Sequence, residues 1–294
     1  MKTLARVLAS QSFAVTAEMS IRGHTPASEI LEQAKELAPF VDAVQVAENP
    51  EQRRQISPVA VAALLLREGI DPITRLNCRD RNGRALQSDL VGLKALGVSS
   101  LILNRDNRLQ IPGTLTGKPV FDIKGRELIS MAAEISEEQP RGPGEEFMIG
   151  TSATVFAPKP DWKAESLKKR ARAGARILQT QPCFSVPTLR RYMQSLVDLR
   201  LTWKYAVVVT LAPLPGMESA RWQIESSRGT VIPKTIVNEL AAATDPEQTG
   251  IDVCARQMQE IAAIPGVSGV NLLTLGNPAA VTAAIKASGL RTEA

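Results

Sequence analysis

Apolar positions along this 294-residue chain follow two alternating periods. Short runs rich in β-branched and aliphatic residues are each followed by a longer segment whose apolar residues recur every three or four positions, and the alternation continues to the C-terminal end. The first run is Phe13–Glu18. The amphipathic segment behind it begins near Pro26 and aligns Ile30, Leu31, Ala34 and Leu37 on one face. The second run, Val41–Val46, precedes an apolar helix from Ser57 to about Glu68, where Ser57 supplies a cap and Pro58 a first-turn residue. The third, Pro72–Cys78, ends in the charged stretch Arg79–Asn82. It leads into a helix carrying Leu86, Leu90, Leu93 and Leu96, which Gly97 closes. Runs four to seven are Ser100–Asn104, Phe147–Gly150, Arg176–Gln181 and Tyr205–Thr210. The pattern predicts helices over about 126–137, 163–173 and 186–199, and an extended helical region over about 217–264. The eighth run is Val270–Thr274, and a last helix spans 278–287.

Eight strand–helix units, with parallel strands buried on both faces, close most economically as a (β/α)8 TIM barrel. The expected organisation is a single α/β domain over residues 1–294, with a helical insertion at about 217–264. A doubly wound sheet is the alternative, but its GxGxxG phosphate loop is missing from the sequence. Lys2 and Arg6 followed by short apolar stretches loosely mimic a secretion signal. Gln11 and Ser12 interrupt what would be its apolar centre, so an amphipathic stretch leading into the first strand fits better, and a cytoplasmic location is expected. No apolar run approaches the length of a membrane span.

Composition narrows the function. An apolar fraction of 44% is that of a packed domain. Aromatic residues make up only 4%, which argues against binding single-stranded nucleic acid by base stacking. The net charge of +5 makes an anionic partner plausible, and the basic residues are dispersed. Their densest cluster, Lys168, Lys169, Arg170 and Arg172, reads either as a solvated helix face or as an anion-binding edge. The three cysteines are far apart and form no CxxC pair, and the single histidine, His24, stands alone. Neither a zinc site nor a histidine-based triad is expected. Cys78 and Cys183 lie near strand ends without a histidine beside them and read as buried structural thiols.

In a barrel of this kind, function sits where the strands end. The polar residues at those ends include Glu18; Glu48 and Asn49; Arg75, Asn77 and Arg79; Asn104, Arg105 and Asp106; Thr151 and Ser152; Gln179 and Gln181; Thr210; and Thr274 with Asn277. Each costs about 1–3 kcal/mol in an apolar setting unless it finds a partner. A ligand explains their concentration on one rim better than chance does. Glu18 closes the first strand, where burial would raise its pKa and suit it to general acid work. A salt bridge to Arg75 is the competing reading. Asp106 has the same two readings. Gln181 suits a ligand with donors and acceptors along one edge, or is simply hydrated.

These residues also carry a family resemblance. Thr16-Ala-Glu-Met-Ser20, Arg75-Leu-Asn-Cys-Arg-Asp-Arg-Asn82, Ala85-Leu-Gln-Ser-Asp-Leu90, Ala95-Leu-Gly97 and Leu101–Asp106 resemble the methylenetetrahydrofolate reductase family. So do Leu167-Lys-Lys-Arg170, Ala173-Gly-Ala175, Gln179-Thr-Gln-Pro182, Val231-Ile-Pro233 and Leu273-Thr-Leu-Gly-Asn277. The matches run in order along nearly the whole chain. The resemblance implies a barrel that binds FAD and uses NAD(P)H to reduce 5,10-methylenetetrahydrofolate to 5-methyltetrahydrofolate. It implies Glu18 as general acid, Asp106 and Gln181 with Gln179 against the folate, and Asn104, Arg105, Thr151, Lys169 and Arg170 around the cofactor. Tetrahydrofolate derivatives are then the small-molecule partners, which gives the positive charge a purpose. A homo-oligomer or a partner subunit stays open.

The sequence departs from the family in several places. Met19-Ser-Ile-Arg22 stands where an aromatic pair and two prolines are usual, Arg105 stands where a glycine precedes the aspartate, and Arg75 stands where a histidine is common. The alternative function is therefore a folate-binding subunit of a one-carbon complex without hydride chemistry of its own.

Overall fold

The computed structural model describes residues 3–21, 23, 25–46, 55–105, 118–138, 146–226 and 229–291. Its strands are β1 (Ala14–Met19), β2 (Ala43–Val46), β3 (Pro72–Asn77), β4 (Ser100–Asn104), β5 (Met148–Ala153), β6 (Ile177–Pro182), β7 (Ala206–Leu211) and β8 (Val267–Leu273). Each pairs in parallel with the next, and β8 pairs with β1, so the sheet closes into a (β/α)8 barrel, as the periodicity predicts. The helices are α1 (Leu4–Ala9), α2 (Ala27–Leu37), α3 (Pro58–Arg67), α4 (Gly83–Leu96), α5 (Gly125–Glu138), α6 (Glu165–Arg172) and α7 (Val186–Asp198). Three more, α8 (Met217–Ser226), α9 (Lys234–Ala242) and α10 (Pro246–Ala262), lie between β7 and β8, and α11 (Pro278–Ser288) follows the last strand. Among the described residues no helix is long and apolar enough to cross a membrane.

Local chemistry sets the helix ends. Ser57 Oγ accepts from Val59 N at 3.3 Å, and Asn82 Oδ1 from Ala85 N at 2.9 Å, each satisfying an amide that the first helical turn leaves open. Gly97 closes α4 at φ +92°, a left-handed conformation that costs glycine little. Two strands differ from their apolar runs. β5 continues past Gly150 through Thr151, Ser152 and Ala153, because Ser152 N donates to Asn104 Oδ1 on β4 at 2.9 Å and the chain stays paired with β6. β8 starts at Val267, earlier than Val270, through Ser268 and Gly269, residues of weak strand propensity that barrel closure recruits.

Two apolar layers follow from the strand alternation. Outward residues such as Val15, Val44, Leu101 and Val207 pack against the helices. Inward residues at the amino ends of the strands (Ala14, Ala43, Ile73, Ile102, Ile177 and Val208) form a separate floor inside the barrel, which Leu4 and Val7 of α1 cap from below. The plug is tied down by Asp71, whose Oδ2 accepts from Leu4 N at 2.9 Å. Closure needs a glycine at 269, where a Cβ would sit 2.4 Å from the Ala14 carbonyl oxygen.

Candidate active site

Above the floor the same inward positions become polar. In a parallel sheet, paired residues share a face. The register pairs Glu18 with Gln45, Asn77 with Asn104, Ser152 with Gln179, and Asn271 with both Thr16 and Thr210. The short strand β2 makes the change within two residues, from Ala43 in the floor to Gln45 above it. The carboxyl ends of the strands therefore enclose a polar lumen.

Glu18 is its most constrained acid. Gln45, itself buried, donates through Nε2 in a short hydrogen bond to Glu18 Oε2, and Arg75 Nη1 stands 3.8 Å from the same oxygen. The Glu18 side chain is 16% exposed. Burial pushes its carboxyl above the ordinary carboxylate range, against the opposing pull of Arg75, Gln45 and Asn271. The two readings of this residue thus coexist. The arginine is present at ion-pair distance, and desolvation outweighs it. Backbone contacts hold the acid in place: Thr274 N donates to the Glu18 carbonyl at 3.0 Å, and Ser20 N to Thr274 Oγ1 at 3.0 Å. Beside Thr274, Pro213, Pro215, Glu247 and Asn277 line a shallow cleft of about 20 Å³, room for little more than a water molecule.

Asn271 is fully buried below Glu18 on β8. Its Oδ1 accepts from Thr16 Oγ1 at 2.8 Å, while Nδ2 has no hydrogen-bond partner. Asn104 on β4 is similar: Oδ1 accepts from Ser152 N, and Nδ2 is buried without a partner. An unsatisfied buried donor costs about 1–3 kcal/mol, which a ligand acceptor would recover.

The remaining predicted site residues divide into groups. Gln179 faces the lumen, buried, with Nε2 3.5 Å from Thr210 Oγ1. Gln181 is engaged by its own chain: Oε1 accepts from Val155 N at 2.8 Å, and Nε2 donates to Gly229 O at 3.1 Å and Val155 O at 3.4 Å. Arg105, exposed at the β4 exit, lies over the Phe121 ring at 5.2 Å. Thr151 belongs to the opposite face from its neighbour Ser152, toward α6, and its Oγ1 accepts from Arg170 Nη1 at 2.9 Å. Arg170 also reaches Ser152 O through Nη1 at 2.6 Å and Ser166 O through Nε at 3.4 Å, and burial lowers its pKa. Lys169, next to it on α6, is exposed. Asp106 lies outside the described residues, as do Glu48 and Asn49.

The structure therefore gathers Glu18, Asn104 and Gln179 in the lumen, and couples Thr151 to Arg170 behind the sheet. Two lumen residues, Gln45 and Asn271, escape a search confined to strand ends. Their signal was an amide at an inward position of an otherwise apolar strand. Cys78 and Cys183 are buried and pushed up to about 11, and Cys254 to about 12, so none is poised as a nucleophile. Among the described residues no three His, Cys, Asp or Glu side chains converge as a metal site.

A parallel barrel with a buried carboxyl and unsatisfied amides at the carboxyl ends of its strands has the layout of a TIM-barrel enzyme. The chain belongs to the methylenetetrahydrofolate reductase family, which its residues 3–289 match. Membership makes it an oxidoreductase of folate one-carbon chemistry. Among solved structures it is similar to 2,3-dimethylmalate lyase, a member of the PEP mutase/isocitrate lyase superfamily, at 10% identity and TM-score 0.51 over 96% of this chain and 83% of that one. It is also similar to dihydropteroate synthase from Thermus thermophilus, at 15% identity and TM-score 0.46 over 95% of this chain and 94% of that one. The first likeness is one of fold alone, and the second is too loose to add to it.

Proposed function

We propose that the chain interconverts 5,10-methylenetetrahydrofolate and 5-methyltetrahydrofolate in the cytoplasm, with Glu18 as general acid and NAD(P)H as the source of hydride. The observation that carries this reading is the Glu18 carboxyl, buried at the barrel mouth and held by Gln45 with its pKa raised. In the reductive direction the Glu18 proton goes to the bridging nitrogen of the five-membered ring, and the bond from that nitrogen to the methylene carbon breaks. The other ring nitrogen and the methylene carbon become an iminium, and hydride addition to that carbon gives the methyl group. Glu18 is left as a carboxylate beside Gln45 and Arg75, and it regains its proton from solvent. Gln179 faces the substrate from β6. Gln181 joins it by exchanging its contact with Gly229 for the folate, and Asp106 completes the folate-binding set.

The donors on this chain suit FAD. Asn104 Nδ2 is buried and unpaired, Lys169 is exposed, and Arg170 spends Nε and Nη1 on its own protein while keeping Nη2. Lys169 and Arg170 would hold the diphosphate, with Asn104 and Arg105 at the ring edge. Thr151 would serve indirectly by steadying Arg170. Bound FAD would supply the relay of hydride between NAD(P)H and the folate.

The decisive experiment replaces Glu18 with Gln and measures folate turnover and folate binding separately. Turnover is expected to fall by about 10²-fold or more with binding retained. Full activity in Glu18→Gln would overturn the acid assignment. Anaerobic addition of 5-methyltetrahydrofolate to the purified protein is expected to bleach a visible flavin band. The second reading, a folate-binding subunit without hydride chemistry, is favoured by Arg105 at the β4 exit. Tight folate binding with no NAD(P)H oxidation under any electron acceptor would support it.

A further inference from the structure

We infer that Asn271 is a positioning residue for Glu18: Thr16 orients its amide so that Nδ2 is presented to the carboxylate left when Glu18 gives up its proton. Asn271 is fully buried and is paired across the sheet with Thr16 on β1 and Thr210 on β7. The Thr16 hydroxyl has two acceptors near it, Asn271 Oδ1 at 2.8 Å and Val270 O at 3.3 Å. The shorter contact goes to the side-chain oxygen, so the hydroxyl proton decides which end of the amide is oxygen and which is nitrogen. Nδ2 is then the free end, buried and without a hydrogen-bond partner.

A donor beside a neutral acid meets a stronger, charged acceptor when that acid ionises. The amide therefore stabilises the product of proton donation more than the starting acid, which is the differential that catalysis requires. Its effect on Glu18 has the corresponding sign, favouring the charged form. From the elements packed around Glu18, β2 contributes the neutral Gln45, β8 the neutral Asn271, and β3 the Arg75 guanidinium. Arg75 is the one charged group acting on Glu18 among the described residues. Asn271 thus works alongside the Arg75 cation and a second amide, and its Nδ2 is the buried donor of this set without a hydrogen-bond partner. Its catalytic consequence rests on the reading of Glu18 as the acid.

The test reads the Glu18 protonation midpoint directly, by infrared difference spectroscopy of the protonated carboxyl across pH, with Glu18→Gln as the blank. This needs no turnover. Asn271→Leu is expected to raise the midpoint by roughly one pH unit, because a group favouring the charged form is lost. Thr16→Val, which frees the amide to flip, is expected to raise it by less, while Thr16→Ser keeps the wild-type midpoint. The pH profile of folate turnover should shift its alkaline limb upward by the same amount, with a plateau several-fold lower. An unchanged midpoint in Asn271→Leu, with activity reduced equally at all pH values, would overturn the inference and leave Asn271 a packing residue. If Asn271→Leu does not fold, an unchanged midpoint in Thr16→Val has the same force. A shifted midpoint together with a fully active Glu18→Gln would leave the coupling standing and remove only the acid assignment.

Discussion

The floor and the mouth of the barrel are built from the same inward face of the same strands, and they obey different rules. At the floor, Ala14, Ala43, Ile73, Ile102, Ile177 and Val208 fill a closed space under the α1 plug. Two or four residues further along, the inward positions carry Glu18, Gln45, Arg75, Asn104 and Gln179, and β8 adds Asn271. Among the described residues, none of the floor side chains has an unsatisfied buried polar atom, whereas the mouth has two, Asn104 Nδ2 and Asn271 Nδ2. The floor spends its residues on stability. The mouth accepts desolvated and unpaired polar groups that cost stability, as a site awaiting a ligand must.

The contrast can be broken most severely at closure. Gly269→Val would drive a side chain into the Ala14 carbonyl and is expected to abolish soluble folded protein, judged by expression and circular dichroism. Within the floor, Ile177→Ala is expected to cost about 2–5 kcal/mol in denaturant unfolding while leaving the pH profile of turnover unmoved. Asp71, the anchor of the plug, is pushed by burial to about 6. Between the unfolded carboxyl range and about 6, the folded chain keeps a proton that the unfolded chain has released. Stability therefore declines as pH rises through that window and stays lower above it. Asp71→Asn is expected to remove this dependence and to raise the stability at pH 7 by up to about 3 kcal/mol, measured by urea titration across pH.

Substitutions at the mouth should show the reverse signature. Arg75→Met is expected to change stability by no more than about 1 kcal/mol, and Gln45→Leu, which strips the buried Glu18 of a donor, to cost about 1–3 kcal/mol. Each removes a group that favours the Glu18 carboxylate, so the acid form should persist to higher pH and the alkaline limb of turnover should move upward. A pH-independent loss of stability matching that of Ile177→Ala would erase the distinction between the two regions.

Much of this was legible in the amino-acid order. The switch between strand and helix periods, the Ser57 and Asn82 positions before helices, and Gly97 after one are local signals, and local physics suffices to read them. Eight such units imply a closed barrel, because parallel strands buried on both faces leave few other ways to cover an edge. Glu18 was visible because a carboxylate at the end of an apolar strand needs a reason.

Other features depended on the closed sheet. Gln45 and Asn271 came to flank Glu18 only when β2 and β8 were brought to either side of β1, across 27 residues of chain in one case and more than 250 in the other. Thr151 and Ser152 look equivalent in sequence, yet strand alternation sends one toward α6 and the other into the lumen. Gln181 meets a loop 48 residues away, and that contact takes a donor that the sequence left free for a ligand. Sequence alone determined which residues could carry the chemistry, because residue type and local period are written residue by residue. Tertiary structure decided which of them meet, because register and closure depend on all eight strands at once.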